Sequence, residues 1–163
     1  PNDAGILFDR DPSPSDAEGI FISGDNLMPH WDTRFPNSGI VIPESEWALL
    51  AVTVSPTELK GYVVSLTNGF ESFTDTGTFA TNTFANLEIG RDPTVGRNFV
   101  GAIDDVRLYD RTLSAAEIQA IFESSRCTNP ERFSGTIVYN ADHNVMQYCD
   151  PQSAGNGWQV TMP

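Results

Sequence analysis

The chain has 163 residues, of which 39% are apolar and 19% are charged, so it is long enough to bury one hydrophobic core and resembles neither a disordered nor a membrane-spanning chain in composition. Its 22 acidic residues outnumber its 9 basic ones and give a formal net charge of −13, which excludes nucleic acid and anionic membranes as expected partners. No apolar run approaches the roughly 20 residues of a spanning helix, so we expect no membrane insertion.

Short apolar runs separated by Gly, Pro, Asn, Asp and Ser follow one another along the chain. This pattern predicts an all-β fold, an antiparallel sandwich rather than alternating strands and helices. Residues 47–54 are apolar on both faces, so we expect a central strand that is covered on each side. The predicted strands cover residues 5–8, 19–23, 39–42, 47–54, 62–66, 87–89 and 100–109.

One stretch, residues 113–122, has a strong helical signature. Ser114 is placed as the N-cap, and Glu117 three residues later completes a capping box. Ile118, Ile121 and Phe122 fall on one face of the helix. The sequence therefore predicts one short surface helix, which needs a sheet to dock on because so short a helix is not stable alone.

The pattern of apolar and polar residues changes after Arg126, so we divide the chain into a domain of residues 1–125 and an appendage of residues 126–163. The appendage alternates short apolar runs with polar turns, which predicts a small β-hairpin followed by a third strand that carries Trp158. Cys127 and Cys149 bracket the hairpin. We expect them to form a disulfide, which would close a loop of about 20 residues and add about 3 kcal/mol of stability. The alternative is two buried thiols in a cytosolic protein.

Residues 99–118 resemble the C-terminal signature of laminin-G-like domains in the concanavalin A-like lectin/glucanase superfamily. The signature combines a glycine, an Ile-Asp-Asp-Val strand, an aromatic residue and a Leu-Ser-x-x-Glu-Ile helix start. The matching positions are Gly101, Ile103, Asp104, Asp105, Val106, Tyr109, Arg111, Leu113, Ser114, Glu117 and Ile118. The resemblance extends from about Ile6 to Ser124 and implies a concanavalin A-like jelly roll.

Members of this family usually have several more strands before the position of Ile6, so the chain resembles the later part of the domain. The resemblance therefore implies an open sheet edge beside the predicted strand 100–109. We expect that edge to be covered by an upstream segment, by another subunit or by the C-terminal strands.

Three residues at two places in the chain are candidate calcium ligands. Asp104 shares a strand face with apolar residues, so we expect it to be buried, where it either accepts hydrogen bonds from backbone amides or an arginine or binds calcium, an ion that members of the superfamily often hold. Asp25 and Asn26 follow a predicted strand and a flexible Gly24, and they form the second candidate site. Calcium is the only cofactor that these residues suggest, and no motif requires one.

The run of residues 30–35 combines an aromatic side chain with polar neighbours, a mixture that sugar-binding surfaces use. His30, Trp31 and Arg34 are therefore the candidate ligand-binding residues. The alternative for Trp31 is a place in the core, where large aromatic side chains often lie.

No catalytic pattern is present. A retaining glycosidase of this architecture needs two carboxylates about 5 Å apart, and we find no Glu-x-Asp-x-x-Glu pattern. Glu44 and Glu46 are two residues apart but lie in a Pro-led loop. Six further acidic residues are interpreted as turn residues, namely Asp9, Asp11, Asp16, Glu18, Asp75 and Asp92.

We therefore expect a non-catalytic recognition or adhesion module of a secreted or surface-displayed bacterial protein, with a glycan or neighbouring protein strands as ligand. The two other classes left open are a structural subunit of an extracellular filament or assembly and a glycan-cleaving enzyme on the same fold. The chain begins at Pro1 without an initiator Met, which indicates a processed product or an excised piece. An extracellular or cell-surface location follows from the expected disulfide.

The disulfide can be tested directly. A thiol count on denatured, unreduced protein should find no free thiol, because Cys127 and Cys149 are the only cysteines of the chain. A count of two free thiols would contradict the pairing and remove the main argument for an extracellular location.

Overall fold

A computed structural model describes residues 3–10, 17–81, 84, 86–92, 96–124, 137–140, 145–149 and 158–161. The chain divides into two compact units, Pro1–Leu113 and Ser114–Pro163. The boundary expected between residues 125 and 126 lies outside the described residues and stays a prediction.

Nine strands are described in the first unit, and they pair antiparallel. In chain order they are β1 (Ala4–Arg10), β2 (Ala17–Ser23), β3 (Asn26–His30), β4 (Leu49–Val54), β5 (Glu58–Ser65), β6 (Gly69–Thr76), β7 (Glu88–Ile89), β8 (Arg91–Asp92) and β9 (Arg97–Asn98). The first sheet has the order β3-β2-β1-β7, the second has the order β4-β5-β6, and β8 and β9 form a small hairpin.

The two larger sheets pack face to face. Leu27 on β3 and Val63 on β5 are completely buried and share one apolar cluster with Ile40. A Cβ atom at Gly61 would lie 2.7 Å from Pro29 Cγ and 2.9 Å from Leu27 Cδ2, so a glycine is needed where β5 crosses β3. The predicted β-sandwich is confirmed by this arrangement.

The opposite face of the first sheet carries an aromatic cluster. Phe8 and Phe21 contact each other with ring centroids 5.3 Å apart, and both contact the His30 ring. Arg97 on β9 places its guanidinium 5.6 Å from the centre of the Phe21 ring. The first sheet is therefore apolar on both faces, which explains why β1 and β2 are largely buried.

Three strand predictions are wrong in part or in full. Residues 39–42 form only an isolated bridge between Val41 and Asn26. The strand predicted at 47–54 is β4, which starts at Leu49 and lies at the edge of its sheet, whereas β5 is the central strand. β5 is buried on both faces because its register places Val63 inward while Tyr62 and Val64, on the outer face, are also covered.

The strand predicted at 100–109 is absent from the described structure. These residues lack regular secondary structure, and the apolar side chains expected to be buried are exposed, with Val100 at 82% and Leu108 at 60%. Asp104 is also exposed, so its predicted burial is wrong. The physical reason is that a strand needs a partner to pair with, and residues 100–110 have none among the described strands.

The second unit contains the helix and the C-terminal sheet. Helix α1 (Ala115–Ser124) begins directly after Ser114. Ser114 Oγ accepts a hydrogen bond from the Glu117 backbone N–H at 3.3 Å, and the Glu117 carboxylate accepts one from the Ser114 N–H at 2.8 Å, which is the predicted capping box. The three-stranded sheet β10 (Ile137–Asn140), β11 (Val145–Cys149) and β12 (Trp158–Thr161) agrees with the predicted hairpin and third strand. Cys127 lies outside the described residues, so the disulfide stays a prediction.

The sandwich contact at Gly61 leads to a stability prediction. Gly61→Val should lower the free energy of unfolding by about 1–3 kcal/mol, because the new side chain overlaps Pro29 and Leu27. Thr74→Val on β6 places the same valine at an exposed position, in exchange for a side chain of similar size, and should change stability by less than about 0.5 kcal/mol. Urea unfolding of both variants measures the difference, and equal values would contradict the close approach of the two sheets at Gly61.

Candidate functional site

A tight turn follows β3 and presents two of the predicted ligand-binding residues. Trp31 and Arg34 exchange both backbone hydrogen bonds, at 2.9 and 3.1 Å, and form an isolated antiparallel bridge. Asp32 within the turn has a φ of 56°, a conformation that aspartate tolerates better than most residues. Residues directly opposite in such a bridge have their side chains on the same side, so Trp31 and Arg34 belong to one surface.

The Trp31 side chain is fixed by a hydrogen bond from its indole nitrogen, and part of its ring is exposed to solvent. Its Nε1 donates a hydrogen bond to the Ala80 carbonyl oxygen at 2.8 Å. The Trp31 ring meets the Phe84 ring edge to face, with centroids 6.2 Å apart and planes at 89°. Trp31 is half-buried and Phe84 is 44% exposed, so the two rings form an aromatic surface that solvent reaches.

Arg34 is fixed beside this surface by an ion pair that joins the two sheets. Arg34 Nε donates to Asp75 Oδ2 at 2.9 Å and Nη2 donates to Asp75 Oδ1 at 2.6 Å. The guanidinium lies 5.1 Å from the centre of the Phe79 ring. A Cβ atom at position 77 would lie 2.5 Å from Arg34 Nη1, so Gly77 leaves the room that the arginine occupies. The side chains remain accessible, with 41% of Arg34 and 19% of Asp75 exposed.

His30, the third predicted ligand-binding residue, lies elsewhere. It is 8% exposed and packs in the aromatic cluster of the first sheet, with its ring 5.0 Å from Phe8 and stacked 5.5 Å from Phe35. Successive residues of a strand point to opposite sides, which separates His30 from Trp31. The structure therefore brings Trp31 and Arg34 together and excludes His30 from their surface.

The two candidate calcium positions serve other roles in the described structure. Gly24 and Asp25, with φ values of 53° and 69°, are the central residues of a two-residue turn between β2 and β3. The Asn26 side chain donates to the Gly24 carbonyl oxygen at 3.0 Å. The exposed Asp104 carboxylate accepts a hydrogen bond from the Asp105 N–H at 2.8 Å. Within the described ranges no three His, Cys, Asp or Glu residues are grouped to hold a metal ion, and calcium binding stays a prediction.

Three buried carboxylates among the described residues, Asp9, Glu18 and Asp92, were not recognised in the sequence. Asp9 and Glu18 were interpreted as turn residues, but they lie directly opposite each other on β1 and β2 and are 1% and 4% exposed. Asp9 Oδ1 accepts a hydrogen bond from the Asn86 N–H at 2.9 Å and so fixes the loop before β7. The alternation of apolar residues in β1 and β2 was the usable signal. Extending each predicted strand by two residues would have placed Asp9 and Glu18 in strands.

Sequence reasoning also missed three residues that contact Trp31 or Arg34, namely Asp75, Phe79 and Phe84. Asp75 lies on β6, which the predicted strands did not include. The Asn68-Gly69 turn after a strand was a usable signal, because such a pair commonly joins two strands of a hairpin. The pairing of Asp75 with Arg34, 41 residues away, has no local signal.

Two antiparallel sheets that pack face to face around a shared apolar cluster define a β-sandwich. The family comparison agrees: residues 5–119 match the Laminin_G_3 model, described as concanavalin A-like lectin/glucanases superfamily. The chain belongs to this family. No curated protein and no solved structure matches it. Helix α1 is too short to cross a membrane, and the described residues include no helix that could.

The ion pair at this surface leads to a stability prediction. Asp75→Asn should lower the free energy of unfolding by about 1 kcal/mol, because Arg34 loses its charged acceptor in a half-buried setting. Glu58→Gln removes the partner of Lys60 on the same sheet, where the side chains are 42% and 32% exposed, and should have a smaller effect. Chemical unfolding followed by circular dichroism compares the two, and an equal or larger effect of Glu58→Gln would contradict the role of the Arg34 pair.

Proposed function

We propose that this chain is a non-catalytic recognition module that binds a neutral carbohydrate at the recognition surface, defined as Trp31, Arg34, Asp75 and Phe84. Membership of a superfamily of lectins and glucanases supports a carbohydrate-binding or related role. The observation that carries the finer proposal is the solvent-accessible Trp31–Phe84 pair beside the Arg34–Asp75 ion pair.

The chemistry of this surface suits a sugar. The apolar face of a sugar ring can lie against an aromatic ring, while its hydroxyl groups need a few well-placed polar partners. Each carboxylate oxygen of Asp75 has two lone pairs, so it can accept from a hydroxyl group in addition to Arg34. The Arg34 side chain is 41% exposed and has five N–H donors, of which Asp75 uses only part.

Charge supports a neutral rather than an acidic glycan. The Arg34 guanidinium is already neutralised by Asp75, so an anionic sugar finds no free cation in this pair. The chain as a whole carries a formal charge of −13, which repels an anionic ligand at low salt. Neutral hexose chains are therefore the ligand class that we propose.

The burial of Asp9 and Glu18 supports a binding role over catalysis. Directly opposite side chains on antiparallel strands have Cβ atoms about 4.5–5.5 Å apart, which is near the spacing that a retaining glycosidase uses. Both side chains are, however, less than 5% exposed, so a glycosidic bond cannot reach them without opening the fold. Incubation with neutral oligosaccharides should give no reducing ends, and their release would favour the enzyme.

We extend the proposal to location and cofactor. A secreted or surface-displayed bacterial protein is the setting in which the predicted Cys127–Cys149 disulfide would persist. If calcium supports the site, its removal with a chelator should weaken glycan binding. Unchanged binding in chelator would remove calcium from the proposal without affecting the sugar site.

The recognition surface is tested by replacing its aromatic ring. Trp31→Ala should weaken binding of neutral glycans about tenfold, which corresponds to about 1.4 kcal/mol and is the scale of one aromatic contact. Trp47→Ala is the matched control, because Trp47 is 60% exposed and lies in the loop before β4 rather than in the turn that carries Trp31. A glycan array followed by titration calorimetry gives the affinities.

Trp31→Phe separates folding from recognition. This variant keeps an aromatic ring but loses the hydrogen bond to the Ala80 carbonyl, so it should retain most of the affinity of the native chain. Loss of binding in Trp47→Ala with native binding in Trp31→Ala would place the sugar site elsewhere. Absence of binding to all neutral glycans would contradict the proposal as a whole.

A further inference from the structure

Residues 100–110, here named the linking segment, cross the surface without a partner strand among the described residues. The segment is anchored just outside both ends, because the Phe99 N–H donates to the Gly90 carbonyl at 2.8 Å and Thr112 Oγ1 donates to the Val54 carbonyl at 2.9 Å. Between these anchors no backbone–backbone hydrogen bond joins the segment to another described residue. The backbone donors and acceptors of the segment are therefore open to pairing.

The linking segment has the residue pattern of a β-strand, but its apolar side chains are exposed to solvent. Val106, Leu108 and Tyr109 are 43%, 60% and 47% exposed, as is Val100 at 82%. Val100, Val106 and Leu108 are separated by even numbers of residues, so in an extended backbone they would share one face. Exposed apolar side chains on a segment without a partner strand mark a place where another strand can add.

A local arrangement keeps the segment out of the extended conformation. Asp105 has a φ of 53°, and its N–H donates to the Asp104 carboxylate at 2.8 Å. Arg107 donates to both carboxylate oxygens of Asp105, at 2.7 and 2.6 Å. The hydrogen bonds to Asp105 raise the pKa of Arg107, with a smaller contribution from Tyr109. Pairing requires Asp105 to extend and to exchange its intrachain partner for one on another strand.

The order of charged residues in the linking segment makes the same segment of a second copy a suitable partner strand. Two identical strands that pair antiparallel around a two-fold axis keep each residue opposite one of the same face. With Val106 on the axis, Asp105 of each copy lies opposite Arg107 of the other, and Ile103 lies opposite Tyr109 of the other. With Asp105 or Arg107 on the axis, like charges would meet, which destabilises cross-strand pairs.

We propose that two copies of this chain associate through antiparallel pairing of their linking segments, with Val106 on the two-fold axis. This goes beyond glycan recognition, and it uses residues outside the recognition surface. The pairing would place Val106 of one copy beside Val106 of the other and would replace two intrachain Asp105–Arg107 pairs with two between the copies. Two such modules would present two recognition surfaces, which raises avidity for a repeating glycan.

Net charge opposes the association at long range but does not decide it. Each copy carries −13, yet charges more than about 8 Å apart are largely screened at physiological ionic strength. The opposed Asp105 and Arg107 side chains would be in contact and therefore less screened. Raising the salt concentration from a low value should at first strengthen the association, because it weakens the long-range repulsion first.

Two charge reversals test the register. Asp105→Arg alone and Arg107→Asp alone each place like charges opposite in the pair, so each variant should be monomeric in analytical ultracentrifugation. An equimolar mixture of the two should form a heterodimer, because the two basic side chains of the first variant then face the two acidic side chains of the second. The double variant Asp105→Arg with Arg107→Asp should again form a homodimer.

The variants separate local pairing from net charge. Asp105→Arg makes the chain less negative, so an effect of net charge alone would strengthen its self-association rather than abolish it. Glu88→Arg is the matched control, because it reverses a carboxylate of another exposed ion pair, with Arg91, and should leave association unchanged. Recovery of the heterodimer from the two single variants also shows that both are folded.

The outcome that overturns the proposal is a native chain that stays monomeric at every concentration, or a native dimer that neither single variant disrupts. A mixture that fails to associate while the native chain dimerises would also overturn it. Hydrogen exchange supplies an independent readout, because the amides of the linking segment should become protected only in the dimer. Glycan binding of the monomeric variants is measured separately, so failure of the dimer does not affect the proposed sugar site.

Discussion

The first unit is organised around the close approach of β3 and β5 at Gly61. A side chain at this position would overlap Pro29 and Leu27, so the absence of one lets the two sheets meet face to face and bury Leu27 and Val63. The same approach brings the end of β3 next to β6. Only then can Arg34, in the turn after β3, reach Asp75 on β6.

The Arg34–Asp75 pair turns this packing into a site with defined chemistry. It fixes a guanidinium and a carboxylate beside the Trp31–Phe84 rings and leaves the pair nearly neutral. A ligand that binds there as proposed would be selected by its shape and hydroxyl groups rather than by its charge. This is why the proposed ligand is a neutral sugar, although the chain as a whole is strongly acidic.

The linking segment shows how one sequence can satisfy two states. Its alternation of apolar residues is that of a strand, and its local chemistry, the Asp105 turn closed by Arg107, stabilises a bent conformation in the single chain. The same two side chains are complementary between copies in one antiparallel register only. In the proposed dimer, the intrachain ion pair and the pairing of strands would compete for the same residues, and protein concentration would decide between them.

Features that depend on neighbours along the chain could be predicted from the amino-acid sequence. The capping box of Ser114 and Glu117 begins the helix within one residue of its predicted start, because its hydrogen bonds span only three residues. Folding in three dimensions was needed to make β5 rather than β4 the central strand, to bury Asp9 and Glu18, and to join Asp75 to Arg34. Each of these depends on which strands become neighbours, and pairings between residues far apart in sequence leave no periodic signal in either segment.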